Sequence, residues 1–150
     1  MEGTMNAQDV LIFAALTVAT DYHNECLENG KYDEYEKKYR HYKRPEAPKL
    51  EDFLTEYDTV KWGEVTDALY GNPVANGYTF EHDGQKHFVK ELDQFGGEGQ
   101  GDGYYHIYEV DGKTYKLDAY YASWDGVHWD DAELFEVKPK EVKVIQWVKV

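Results

Sequence analysis

The stretch YYHIYEVDGKTYKLDAYY, residues 104–121, decides how this chain is read. On either side of Asp111-Gly112 it is rich in Tyr, Val and Ile, the side chains that suit a pleated, half-buried strand. Asp-Gly supplies the two positive-φ positions of a type I′ turn, whose twist matches that of paired strands. Residues 104–110 and 113–121 are therefore expected to form a hairpin. The same stretch holds Gly112-Lys113-Thr114, the end of a phosphate-loop motif. That motif needs a glycine five residues before Gly112, and Ile107 stands there, so the tripeptide reads as a turn.

Upstream the signal repeats: residues 78–81 and 86–92 flank Asp83-Gly84 and read as a second hairpin. Between the hairpins lie Gly96, Gly97, Gly99, Gly101 and Gly103. A dinucleotide loop leads into a helix, whose free N–H groups meet the pyrophosphate. This one leads into a strand and carries Glu98 and Asp102, which repel phosphate, so the glycines read as permission for a bulge or tight crossover. Downstream, 134–137 and 142–148 complete a sheet of about six strands. In the last strand Val142, Val144, Gln146 and Val148 share one face. Ile145 and Trp147 lie on the other, the face expected to be buried.

Before residue 77 the period is helical. Asn6 caps a helix over 6–28 in which Leu11, Ala15, Val18, Tyr22 and Cys26 recur at three- and four-residue steps, and Asn29-Gly30 ends it. Further helices are expected over 31–43, stopping before Arg44-Pro45, over 50–57, and over 62–70, closed by Gly71-Asn72-Pro73. The fold class is thus α+β: N-terminal helices packed on a C-terminal antiparallel sheet. One domain spans 1–150, with a helical subregion at about 6–70 and a sheet subregion at about 77–150.

Composition narrows the function classes. The chain has 150 residues, a formal net charge of −14 and 16% aromatic residues, which is too aromatic for a disordered acidic tail. Direct binding to nucleic acid or anionic lipid is disfavoured, because phosphate contacts need Lys and Arg, and Arg40 and Arg44 are the only arginines. Cys26 is the single cysteine, so no intrachain disulfide forms and a reducing cytoplasm is the expected compartment. It reads as a small apolar side chain on a helix. The longest apolar run, 10–19, is about half of what a membrane span requires and lacks a basic leader, so a soluble, unexported protein is expected.

The sequence GGEGQGDGYYHIYEVDGKTYK, followed by YYASWDGVHWDDAELFEVKPKEVKVIQWV, resembles a family of small acidic proteins of tailed bacteriophages. The likeness rests on a GGEGxG loop, an aromatic hairpin, a Y-x-S-x-x-G turn and an E-V-x-P-x-E strand, and covers the last third of the chain, residues 95–150. It implies a phage origin and a setting in the host (bacterial) cytoplasm. It implies no chemistry, because the family brings no catalytic residues to transfer.

Two constellations remain as candidate sites. Between Glu81 and Glu136 stand fourteen Asp or Glu against four Lys. Within that region Tyr120, Tyr121, Trp124, Asp125, His128, Trp129, Asp130 and Asp131 form an acidic aromatic set suited to a partner protein. Strand alternation can space such carboxylates like a nucleic-acid backbone, and the plainer reading of the charge is solubility. The alternative is Tyr35, Lys38, Tyr39, Arg40, Tyr42, Lys43 and Arg44, a basic aromatic stripe able to stack on and neutralise an anionic, nucleotide-like ligand. The plainer reading of that stripe is packing on the sheet. His82, His87, His106 and His128 have no metal-motif spacing to Asp118, Asp125, Asp130 or Asp131, and Ser123 lacks a nucleophile elbow. No metal, no cofactor and no catalytic residue is therefore expected. The reading is a non-enzymatic protein that binds a host protein as inhibitor or modulator, with self-association into a homo-oligomer left open.

Overall fold

The capping residue Asn6 accepts a hydrogen bond from the Asp9 N–H at 2.8 Å, and the helix it starts, α1, runs over Ala7–Glu28. The computed structural model describes residues 5–150, so the first four residues of the expected domain lie outside the description. Val10, Leu11, Ala14 and Ala15 bury the inner face of α1. Cys26 is buried as a free thiol, as an apolar helical position should be.

The second helix, α2, covers Lys31–Lys38 and stops short of the expected 43, with Tyr39 extended at φ −116 and ψ 116. Pro45 disfavours helical backbone at Arg44. Leaving the helix early lets the Arg44 guanidinium reach back to Asp33 and Glu36. The tyrosine stripe does not lie on the sheet. Tyr32 is buried against α1, its hydroxyl 3.1 Å from His23 Nδ1.

The expected helix over 50–57 is only a 3₁₀ turn, Leu50–Phe53, after which Leu54 pairs with Val60 in an antiparallel bridge. Two helices follow. α3 spans Trp62–Leu69, and α4 is a single turn, Asn72–Ala75, opened by Pro73 where only a chain break was expected. Proline is favoured in a first turn because its missing N–H would be unpaired there in any case.

The sheet is an antiparallel meander in the order β1 (Tyr78–His82), β2 (Gln85–Phe95), β3 (Gly103–Val110), β4 (Lys113–Ala122), β5 (Gly126–Val137). Both Asp-Gly turns adopt left-handed backbone, with φ of 49 and 77 at Asp83-Gly84 and 50 and 86 at Asp111-Gly112. The phosphate-loop tripeptide therefore sits on a hairpin turn, with Lys113 exposed as the first residue of β4. Lys113→Ala should change unfolding free energy by less than about 0.5 kcal/mol in urea titration. ATP titrated into the protein should give no saturable heat that depends on this lysine.

The described residues form five strands, where about six were expected. Residues 134–137 are the end of the long β5, and 138–150 carry neither helix nor strand. Ile145 and Trp147, expected to be buried, are 80% and 94% exposed. Alternation expresses strand propensity, but a strand also needs an edge to pair with. After Val137 the Lys138-Pro139 step holds Lys138 in extended backbone, and no Asp-Gly or Asn-Gly follows to fix a two-residue hairpin turn.

The helices cover one sheet face, where Val89, Tyr108, Val110 and Leu117 meet Leu11, Val65 and Leu69 in a single core. Gly63 on α3 is needed for close approach: a Cβ there would lie 2.9 Å from the Trp129 indole of β5. The face turned away from the helices presents Tyr105, with Lys116 Nζ 4.5 Å above its ring, and the exposed Phe95 and Phe135.

Candidate functional site

β4 and β5 are joined by the three residues 123–125, and Gly126 at φ 80 takes the left-handed position such a hairpin requires. The turn lifts Trp124 clear of the sheet at 83% exposure, beside the exposed Tyr120 and Asp125. The His128 ring lies edge-on to Tyr120 at 5.4 Å, and its Nε2 is 3.1 Å from the Asp125 carboxylate. Asp130 and Asp131 follow on β5, both exposed.

The glycine-rich loop, 96–102, folds over the same end of the sheet. Tyr121 donates its N–H to the Asp102 carbonyl at 2.8 Å and its hydroxyl hydrogen to Glu98 at 2.9 Å. That bond to Glu98, with partial burial, raises the Tyr121 phenol above its usual pKa. The loop closes tightly at Gly96, where φ is 110 and a Cβ would stand 2.4 Å from the Gly103 carbonyl oxygen. Glu98 and Asp102, first read only as reasons against phosphate, thus join the acidic aromatic set. Their proximity to Tyr121 has no local signature, because it depends on how the loop between β2 and β3 reaches β4.

Two members of the expected set face the helix side instead, Trp129 and Tyr121, the latter with its ring stacked 6.5 Å from that of Tyr104. The Trp129 indole faces the helices, packed on Gly63, edge-on to Tyr104 at 5.6 Å and stacked near His106 at 6.2 Å. With Trp62, Thr55 and Asp58 it lines a cleft of about 500 Å³ that also includes Asp130.

Among the described residues, every ion pair made by Lys or Arg involves Arg44 or Lys49 and lies in the helical half. The sheet carboxylates pair only with His82, His87, His106 and His128. Their negative charge is therefore uncompensated by fixed cations, and the field at this end of the sheet extends into solvent. Comparison with known proteins returned no matching family model, no matching curated protein and no matching solved structure.

The basic stripe is organised differently. Tyr35 packs against Tyr39 and Tyr42 at 5.9 and 5.5 Å, and Lys38 Nζ lies 5.6 Å from the Tyr39 ring. Arg44 is held between Asp33 and Glu36 and lies 5.7 Å from the Tyr32 ring centre. Arg40 and Lys43 are exposed. One of the two arginines is thus already neutralised within the protein.

Two buried histidines occupy the helix-facing side of the sheet. His87 Nδ1–H donates to Asp111 at 2.7 Å, and His106 Nδ1–H donates to Glu91 at 2.6 Å. Asp111 also accepts from the Phe88 N–H at 2.8 Å, so the first contact ties the β3–β4 turn to β2. Among the described residues no three His, Cys, Asp or Glu side chains converge to hold a metal ion. No helix among them is long and apolar enough to cross a membrane.

Alkali tests the buried phenols. Burial, with a smaller contribution from Glu91, holds Tyr108 well above the usual tyrosine pKa, and burial with the Asp21 hydrogen bond does the same at Tyr78. A group that keeps its proton more tightly when folded contributes stability in full below its unfolded pKa of about 10, and loses it as pH rises further. Urea unfolding should therefore show stability falling steadily above about pH 10. Tyr108→Phe together with Tyr78→Phe should flatten that slope.

Proposed function

We propose that the protein works by binding rather than by catalysis. The acidic aromatic end of its sheet docks into a basic site on a bacterial protein, of the kind that otherwise receives nucleic-acid phosphates, and so inhibits or modulates that protein. The observation that carries this reading is the exposed Trp124 and Asp125 at the turn, beside Tyr120 and His128, in a sheet whose carboxylates, Glu98, Asp102, Asp130 and Asp131 included, make no ion pair with Lys or Arg among the described residues. An aromatic anchor ringed by charge is the usual composition of a small docking surface, and negative potential selects a basic partner. The phage-like loop and hairpin motifs favour a host-cytoplasm setting for the encounter. Anion capture at Tyr35, Lys38, Tyr39, Arg40, Tyr42, Lys43 and Arg44 is the weaker alternative, because Arg44 is already held by Asp33 and Glu36.

The test is capture of partners from bacterial lysate on the immobilised protein, repeated with Trp124→Ala. The variant should fold normally, since its side chain lies outside the core, and should weaken the captured complex about tenfold. Unchanged affinity would remove the turn from the interface.

A further inference from the structure

Residues 142–150, VKVIQWVKV, leave Val142, Val144, Ile145, Trp147, Val148 and Val150 more than two-thirds exposed. So much contiguous apolar surface on a segment with strand alternation marks a partner-seeking strand. The last residues of the chain are also basic: 138–150 carry Lys138, Lys140, Lys143 and Lys149 against Glu141 alone. The chain itself offers a complementary acceptor. β5 pairs with β4 on one side, stands last in the sheet order, and carries Asp130, Asp131, Glu133 and Glu136. The other edge strand, β1, has five residues against the twelve of β5 and is too short to pair the whole segment.

We propose that two copies of this chain form a two-fold dimer by strand exchange, residues 142–150 of each adding antiparallel to the free edge of β5 in the other. A two-fold axis between Pro139 and Lys140 sets Val142 opposite Val137, Lys143 opposite Glu136, Val144 opposite Phe135 and Ile145 opposite Leu134. Leu134 packs on the core, so Ile145 extends that core, while Lys143 meets a carboxylate of opposite charge. Farther along, Trp147 and Lys149 reach the stretch of β5 where 129–132 stand against Ala119 alone and where Asp130 and Asp131 lie. A hairpin closed within one copy would have the same register, so the state of 138–150 in the single chain bears on the choice. In the single chain 138–150 pair with nothing and stay exposed rather than closing that hairpin, and an isologous exchange satisfies both tails at once. The turn bearing Trp124 and Asp125 lies at the opposite end of β5 and stays free in each copy, while Asp130 and Asp131 stand beside the Lys149 end of the exchanged strand.

The test uses the full chain. In the double variant Val137→Cys and Val142→Cys, mild oxidation should give a disulfide-linked dimer on a non-reducing gel. The unsubstituted protein should sediment as a dimer that dissociates on dilution and with added salt. Lys143→Glu should weaken that dimer about tenfold, because like charges then face each other twice, and adding Glu136→Lys should restore it. The proposal is overturned by a disulfide formed within a monomer, which would be the closed hairpin. A chain that stays monomeric at high concentration, or a dimer indifferent to Lys143→Glu, would overturn it equally.

Discussion

Replacing Tyr108 with alanine is expected to remove about 3–5 kcal/mol of stability, enough to unfold most small domains. Tyr108 is 1% exposed in the middle strand of the meander, where its ring stacks on His106 at 5.8 Å and joins the cluster formed by Val89, Leu117 and the α1 and α3 side chains. The void left by truncation is bounded by paired strands on both sides, which hold their spacing and so cannot collapse to refill it. Trp147→Ala is the contrasting case. In the isolated chain its indole is almost wholly exposed, so truncation should change monomer stability by less than about 0.5 kcal/mol. Paired urea titrations at low protein concentration check both values. Equal losses would mean that residues 142–150 pair within the same molecule.

That contrast shows where the sequence is legible. The two hairpins are written locally: Asp-Gly fixes the turn, the turn fixes the register, and alternation then decides which side chains meet the helices. Val142 to Val148 carry the same alternation without a turn before them, so propensity is readable but the partner edge is not. The α2 stripe failed for a related reason. Tyrosines at helical spacing continue past Lys38, but the backbone leaves the helix to bring Arg44 to Asp33 and Glu36, a contact that periodicity does not report.

The candidate site was legible in part. Trp124 and Asp125 lie in a tight connection whose exposure follows from its being a turn, and the structure places them there with Tyr120 and His128. Trp129, five residues beyond Trp124, looked equivalent and is turned inward, because Gly63 on a distant helix leaves room for the indole. Glu98 and Asp102 were visible only as carboxylates in a loop. Their place beside Tyr121 arises from the path of the β2–β3 connection.

The largest functional effect should come from reversing charge at the acidic end. Asp125→Lys with Asp130→Lys alters the local charge by four units at exposed positions that support no core contact, so the domain should keep its melting transition. If docking is steered by the uncompensated carboxylates, association at low ionic strength should slow by about a hundredfold, while dissociation changes less. The difference should shrink as added salt shortens the screening length from about 30 Å at 0.01 M to about 8 Å at 0.15 M. Neutralising Arg40 and Arg44 serves as the opposite control. Arg44 spends its charge on Asp33 and Glu36, so that double variant should leave association with a basic partner within about twofold, or slightly faster as net negative charge grows. The measurement is a stopped-flow or surface-based rate series with both double variants against the partner captured from lysate, across a range of salt. Loss of binding in the arginine variant, with the aspartate variant intact, would transfer the working surface to Tyr35, Tyr39 and Tyr42. Anion capture would then replace docking as the function, because uncompensated carboxylates at the Trp124 turn repel any ligand that the arginines attract.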